Sequence, residues 1–192
     1  MRLDACPLEI VRAILQSLQP SDLVSACQVN KYLRKAAEPL LYAQVEWFWE
    51  PGRPPPVAQL ISTLLHRPDL KTHVTRLAID TDYFHGLDWM REPPPSIQYS
   101  EHLFAEFILH LKTTELPFLD IWASELRKGH IDALLALLLS QLPNIRSLHL
   151  GKSAARDCKL LGKILRLALC EQRSYGLPKF QRLHDVSFPP HH

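Results

Sequence analysis

The sequence has few glycines and few cysteines, and neither type forms a pattern that catalysis or metal binding would need. The six glycines never approach a phosphate-binding loop, and no nucleophile elbow is present, which argues against nucleotide enzymes and serine hydrolases. The four cysteines, Cys6, Cys27, Cys158 and Cys170, lack the paired spacing of a zinc site or a redox pair. We therefore expect buried free thiols, no metal, no cofactor and no enzymatic centre.

Strong charge and long hydrophobic runs are also missing. The net charge of +2 gives no electrostatic reason to expect nucleic acid or an anionic membrane as a partner. The richest apolar stretch, residues 134–142, is too short to cross a bilayer and ends at Pro143. Residues 1–4 do not resemble a signal peptide, so we expect a soluble protein of the cytoplasm or nucleus.

Residues 6–42 carry the clearest local signals in the chain. A helix is predicted from about Pro7, because proline is tolerated in the first turn and Glu9 lies near the positive end of the helix dipole. At about 100° per residue, one arc of roughly 140° holds five apolar side chains: Ile10, Val11, Ile14, Leu15 and Leu18. That arc is broader than one short helix needs for its own core.

Two more short helices are predicted after this one. Residues 19–22 read as a turn before a second apolar segment, Leu23 to Cys27. Asn30 is a good N-cap for a third helix, which we expect to stop near Glu38 because Pro39 follows. Three helices in so few residues bury little surface, so we expect their apolar surface to be covered by a partner or a neighbouring domain.

Short motifs recur along this segment at regular intervals. They are Cys6-Pro7-Leu8-Glu9-Ile10, Ile14-Leu15-Gln16-Ser17-Leu18, Pro20-Ser21-Asp22-Leu23, Val29-Asn30-Lys31, Glu38-Pro39-Leu40-Leu41-Tyr42 and Val45-Glu46-Trp47. In these motifs the segment resembles an F-box of the fungal style, the helical module that binds the Skp-type adaptor of SCF-type cullin ubiquitin ligases. It departs from the family at Cys6, where Leu is usual, and at Tyr32-Leu33, where Trp or Phe is common.

The resemblance implies a set of adaptor-binding residues. They are Pro7, Glu9, Ile10, Ile14, Leu15, Leu18, Leu23 and Val29. The alternative for the apolar members of this set is the ordinary core of a small helical subdomain.

A domain boundary is predicted shortly after the helices. Alternation of Val45, Trp47 and Trp49 with Glu46, Phe48 and Glu50 predicts a short strand, and the proline-rich residues 51–56 then form a stiff linker. The chain is thus divided into a helical F-box-like module at 1–50, a linker at 51–56 and a second domain at 57–192.

The second domain alternates amphipathic helices with short apolar segments that we interpret as strands. Helices are predicted from Val57, from Ser100, over 131–142 and over about 154–171, and the apolar segments follow at 70–79, 116–121, 145–150 and 183–188. This pattern resembles an irregular leucine-rich repeat, in which units stack into a short parallel sheet with helices outside. We expect an α/β fold, α+β overall, with the repeat region truncated; a generic α/β layer is the alternative.

The resemblances imply a substrate-recruiting F-box subunit, with a cullin ligase and an unknown target protein as partners. The long segment 81–99 is the predicted recognition loop, with Tyr83, Phe84, Trp89 and Met90 as target-binding residues. One alternative is a leucine-rich scaffold without a ubiquitin role. Another is a metal-dependent hydrolase that uses the loop from Asp80 to Asp88, where carboxylates and His85 follow a strand.

Overall fold

The computed structural model describes residues 6–50, 53–80, 96–155, 158–171 and 175–188. The helices are α1 Leu8–Leu15, α2 Pro20–Val29, α3 Lys31–Leu41, α4 Val57–His66, α5 Pro68–Lys71, α6 Glu101–Leu111, α7 Leu119–Arg127, α8 Ile131–Leu139, α9 Lys152–Ala155 and α10 Lys159–Cys170. The strands are β1 Gln44–Phe48, β2 Arg76–Asp80, β3 Ser147–Leu150 and β4 Asp185–Ser187.

The first three helices form a module with a hydrophobic cluster of its own. The cluster consists of the buried residues Val11, Leu15, Leu23, Leu33, Ala36 and Ala37. Asn30 caps α3 as predicted, accepting a hydrogen bond of 2.8 Å from the backbone N–H of Leu33. The predicted stop near Glu38 is wrong, because α3 continues through Pro39 to Leu41. Leu40 and Leu41 pack against the cluster, and this tertiary contact outweighs the local preference against helix before proline.

The described strands form one parallel sheet in the order β1-β2-β3-β4, which confirms the mixed α/β class. Gln44 pairs with Arg76, Arg76 with Ser147 and Ser147 with Asp185, so these four side chains form one row across the sheet. The predicted strand after the module is confirmed as β1. It joins the sheet of the following region, since Val45 and Trp49 lie in the larger hydrophobic core. The division at 1–50, 51–56 and 57–192 stays a prediction.

One predicted strand is wrong, and the one predicted over 70–79 is shorter than expected, because Leu70 lies in α5 and β2 begins at Arg76. Residues 116–121 were expected to be a strand, but α7 begins at Leu119 and runs to Arg127. Trp122 and Leu126 are fully buried one turn apart, and the Trp122 indole N–H donates a hydrogen bond of 2.9 Å to the carbonyl of Ala133. The backbone N–H of Trp122 donates to the carbonyl of Phe118 at 3.0 Å, and this bond between residues four apart is that of a helix.

The centre of the larger core is α8, which is buried at every position except Asp132, as its apolar sequence predicts. The Asp132 carboxylate caps the next long helix by accepting the backbone N–H groups of Leu160 and Leu161 at 2.7 and 2.9 Å. The predicted helix over about 154–171 is divided into α9 and α10. The expectation of buried thiols is wrong, since Cys6, Cys27 and Cys158 are half-buried and Cys170, at the end of α10, is exposed.

Candidate functional site: an exposed apolar face on the helical module

The apolar arc of α1 divides into a buried half and an exposed half. Val11 and Leu15 are 1% and 6% exposed and lie in the module's own cluster. Ile10 and Ile14 are 53% and 46% exposed, one turn apart on the neighbouring face. Leu18, in the turn that follows α1, is also exposed, at 36%. The module therefore satisfies its core with half of the arc and leaves the other half in solvent, where large aliphatic side chains gain nothing.

The second helix repeats this division. Leu23 is buried, whereas Val24 and Val29 are exposed at 43% and 66%. We call the exposed set Ile10, Ile14, Leu18, Val24 and Val29 the apolar face. Val24 was missed as a surface residue, because its place in the run from Leu23 to Cys27 reads equally well as core. The unequal burial of Leu23 and Val24 depends on how α2 packs against α3. The apolar pattern of α2 alone does not determine that packing.

The predicted adaptor-binding residues thus fall into two groups. The exposed ones are Pro7, Glu9, Ile10, Ile14, Leu18 and Val29, and the buried ones are Leu15 and Leu23. Pro7 begins α1, where its carbonyl accepts the N–H groups of Ile10 and Val11, both at 3.1 Å. Leu15 and Leu23 lie in the module's cluster, so they support this surface from beneath and do not form it.

The positions that depart from the family pattern contact each other. The hydroxyl of Tyr32 donates a hydrogen bond to the backbone carbonyl of Cys6, and Leu33 next to it is buried in the cluster. Arg34, also on α3, donates from Nε to the carbonyl of Cys27 at 2.9 Å. The start of α1 and the end of α2 are therefore both attached to α3, which fixes the two helices that bear the apolar face.

Ion pairs and burial set the electrostatics behind the module. Arg67 pairs through one guanidinium nitrogen with Glu38 of α3 at 3.0 Å and with Asp69 at 2.7 Å. The hydrogen bond from Arg67 holds the pKa of Asp69 below its ordinary value. Burial, reinforced by Glu38, raises the pKa of both the Cys27 thiol and the Tyr42 hydroxyl, so both stay protonated at neutral pH.

A second surface is the open side of the sheet, which is polar. Arg76 donates to Glu46 at 2.6 Å and to Ser147 at 3.3 Å, and the Ser147 hydroxyl donates to Asp185 at 2.8 Å. In the next row, His149 Nδ1 and the Ser187 hydroxyl are 2.8 Å apart. These side chains line up because strand residues in register share one side of a sheet.

The remaining candidate sites are the predicted recognition loop and the alternative metal site. Tyr83, Phe84, Trp89 and Met90 lie outside the described residues, as does the proposed metal loop beyond Asp80. Within the part of the chain that is described, no group of three His, Cys, Asp or Glu side chains is placed to hold a metal ion. No described helix is long and apolar enough to cross a membrane.

Comparison with known proteins bears on the module alone. No curated protein and no solved structure matches the chain. A family model described as F-box-like matches residues 3–46, which span the module and the beginning of β1. Residues 3–46 of this chain are therefore an F-box-like domain.

Proposed function

We propose that this protein is the substrate-recruiting subunit of an SCF-type cullin ubiquitin ligase and that it binds a Skp-type adaptor through the apolar face. The observation that carries the proposal is the exposure of Ile10 and Ile14 on a domain that matches the F-box-like family. Neighbouring exposed aliphatic side chains, unlike single ones, form the kind of apolar patch that marks an interaction site. F-box domains as a family serve as substrate adaptors, so the protein acts by positioning a target and is not itself an enzyme.

Binding of the adaptor accounts for the small core of the module as well as for its exposed apolar side chains. Six buried residues form its cluster, which is a small core for three helices. A partner that covers Ile10, Ile14 and Leu18 extends this core across the interface. The exposed ends Pro7 and Glu9 then lie at its rim, where contacts tune affinity and contribute less to it.

The target is assigned to the region after the module, which we interpret as leucine-rich-repeat-like. Consecutive parallel strands in chain order support that interpretation, because stacked repeats add each strand beside the previous one. The polar open side of the sheet and the segment with Tyr83, Phe84, Trp89 and Met90 are the proposed target-binding surfaces. Polar side chains that neighbouring strands already hold in position contribute more to the specificity of such a surface than to its affinity.

Co-purification of the full chain with a Skp-type adaptor and its cullin tests the proposal. The variant Ile14→Asp should lose the complex, because a carboxylate in a dry interface stays unpaired at a cost of about 2–4 kcal/mol, or roughly 30- to 1000-fold in affinity. Gln16→Asp is the matched control, since it places the same charge near the same helix end but on the opposite side. Equal recovery of the adaptor with both variants, or none with the wild type, would contradict the proposal.

A further inference from the structure

Strand β1 lies at one end of the described sheet, and its backbone bonds reveal which groups face outward. The carbonyl of Ala43 accepts from the N–H of Arg76 at 3.1 Å, and the N–H of Trp49 donates to the carbonyl of Asp80 at 2.8 Å. In a parallel ladder every second residue directs both its N–H and its C=O toward the partner strand. Ala43 and Trp49 belong to that alternate set, so Gln44 and Glu46 direct theirs toward the outer edge.

These outward groups are not used within the described chain. None of the other described residues makes a backbone hydrogen bond to the N–H or C=O of Gln44 or Glu46, and both side chains are exposed. Unpaired N–H and C=O groups on a strand edge are a template for another strand. Natural edges are commonly protected by proline or by charged side chains, lysine above all. The sequence at 44–48 has neither proline nor lysine, and its one charge, Glu46, is paired with Arg76.

A cleft of about 770 Å³ opens beside this edge. Its lining is mainly apolar and comes from the module, β1 and α4. Its apolar members include Leu18, Leu23, Leu40, Val45, Trp47 and Leu60. Among the described residues that line it, Glu46 is the one that carries a charge, and its side chain is 55% exposed even though it pairs with Arg76. The cleft therefore suits apolar side chains, with a neutral or basic group next to Glu46 and no acidic one.

We propose that this edge binds an extended segment of a partner polypeptide as a further strand of the sheet. The residue opposite Glu46 points to the same side as Glu46 and is basic, while its two neighbours point into the cleft beside Val45 and Trp47. A partner helix does not fit, because its backbone groups are already bonded internally. Leu18 belongs both to the cleft and to the apolar face, but Ile10 and Ile14 are not among the described residues that line the cleft, so variants at those two positions separate this site from adaptor binding.

The test begins with a library of linear peptides displayed on phage and selected on the full chain. Enriched peptides should carry apolar residues at alternate positions with Lys or Arg between them. Gln44→Pro removes an N–H that faces the free edge and leaves the bonds to β2 in place, so it should weaken binding by about tenfold. Gln44→Ala loses the same side chain but keeps the N–H and should bind as the wild type does.

Hydrogen exchange supplies a readout that needs no variant. The amides of Gln44 and Glu46 should exchange rapidly in the free protein and slowly with a selected peptide bound, and Ile10→Asp should leave this protection unchanged. Failure to enrich any peptide, equal affinity in Gln44→Pro and Gln44→Ala, or binding without slower exchange at Gln44 and Glu46 would overturn the proposal. Concentration-dependent dimers that Gln44→Pro abolishes would also overturn it, in favour of pairing between two copies of β1.

Discussion

Replacing Ile10 and Ile14 together by alanine should separate binding from stability. Complete burial of an isoleucine side chain is worth about 1.5–3 kcal/mol. Because these two side chains are still 53% and 46% exposed, roughly half of that value remains to be gained on complex formation. The double variant should therefore lose about 1.5–3 kcal/mol of binding free energy, or roughly 10- to 150-fold in affinity for a Skp-type adaptor.

The same change should have almost no effect on the stability of the free protein. Substitutions of exposed side chains usually alter the free energy of unfolding by less than about 0.5 kcal/mol. Leu15→Ala is the contrasting variant, because Leu15 is 6% exposed in the module's cluster and its truncation leaves a cavity. It should cost about 2–5 kcal/mol of stability.

Surface plasmon resonance with an immobilised adaptor gives the affinities, and urea unfolding of each free variant gives the stabilities. The expected pattern is weak binding with normal stability for the double variant and reduced stability for Leu15→Ala. Normal affinity combined with a large loss of stability in the double variant would refute the division of α1, since it would place Ile10 and Ile14 in the core.

Three further predictions concern stability. Tyr32→Phe should lower the free energy of unfolding by about 0.5–1.5 kcal/mol through loss of the hydrogen bond to Cys6, as measured by thermal unfolding, and an unchanged midpoint would contradict that bond. Asp132→Ala should cost at least about 1 kcal/mol by removing the cap of α10, whereas a stability like the wild type's in urea would show that the cap is dispensable. Because the pKa of Asp69 is lowered in the folded protein, its contribution to the free energy of unfolding is present above the unfolded-state pKa and is lost as the pH falls through the lowered value. Arg67→Gln should therefore reduce the loss of stability that acid causes below about pH 4. Parallel stability profiles against pH for the variant and the wild type would argue against the Arg67–Asp69 pair.

The parts of the fold that could be predicted are those set by local chemistry. Asn30 and Ser100 both cap helices as expected, since a side-chain oxygen at that position satisfies a free N–H whatever lies elsewhere. The strand around Val45 follows from alternation alone. Residues 116–121 could not be assigned in the same way, because a short apolar run fits strand and helix equally. Burial of Trp122 and Leu126 against α8 decides the case, and that is a tertiary contact.

The candidate site was predicted in position but not in detail. The width of the apolar arc indicated that α1 carries more apolar surface than its core requires, and the structure divides that arc between Val11 and Ile14. The sequence could not say where the division falls, since both residues lie within the same arc. The orientation of α1 is fixed by its attachment to α3, through Tyr32 and Cys6, two positions where the family pattern is not followed.

Calorimetric titration of the purified full chain with a purified Skp-type adaptor tests adaptor binding through the apolar face most directly. We expect saturable one-to-one binding with a negative change in heat capacity, because Ile10, Ile14 and Leu18 leave water in the complex. The Ile10 and Ile14 double alanine variant should reduce the size of that heat-capacity change as well as the affinity. Absence of saturable heat, or binding whose heat capacity is the same in the variant, would show that the apolar face is not where the adaptor binds.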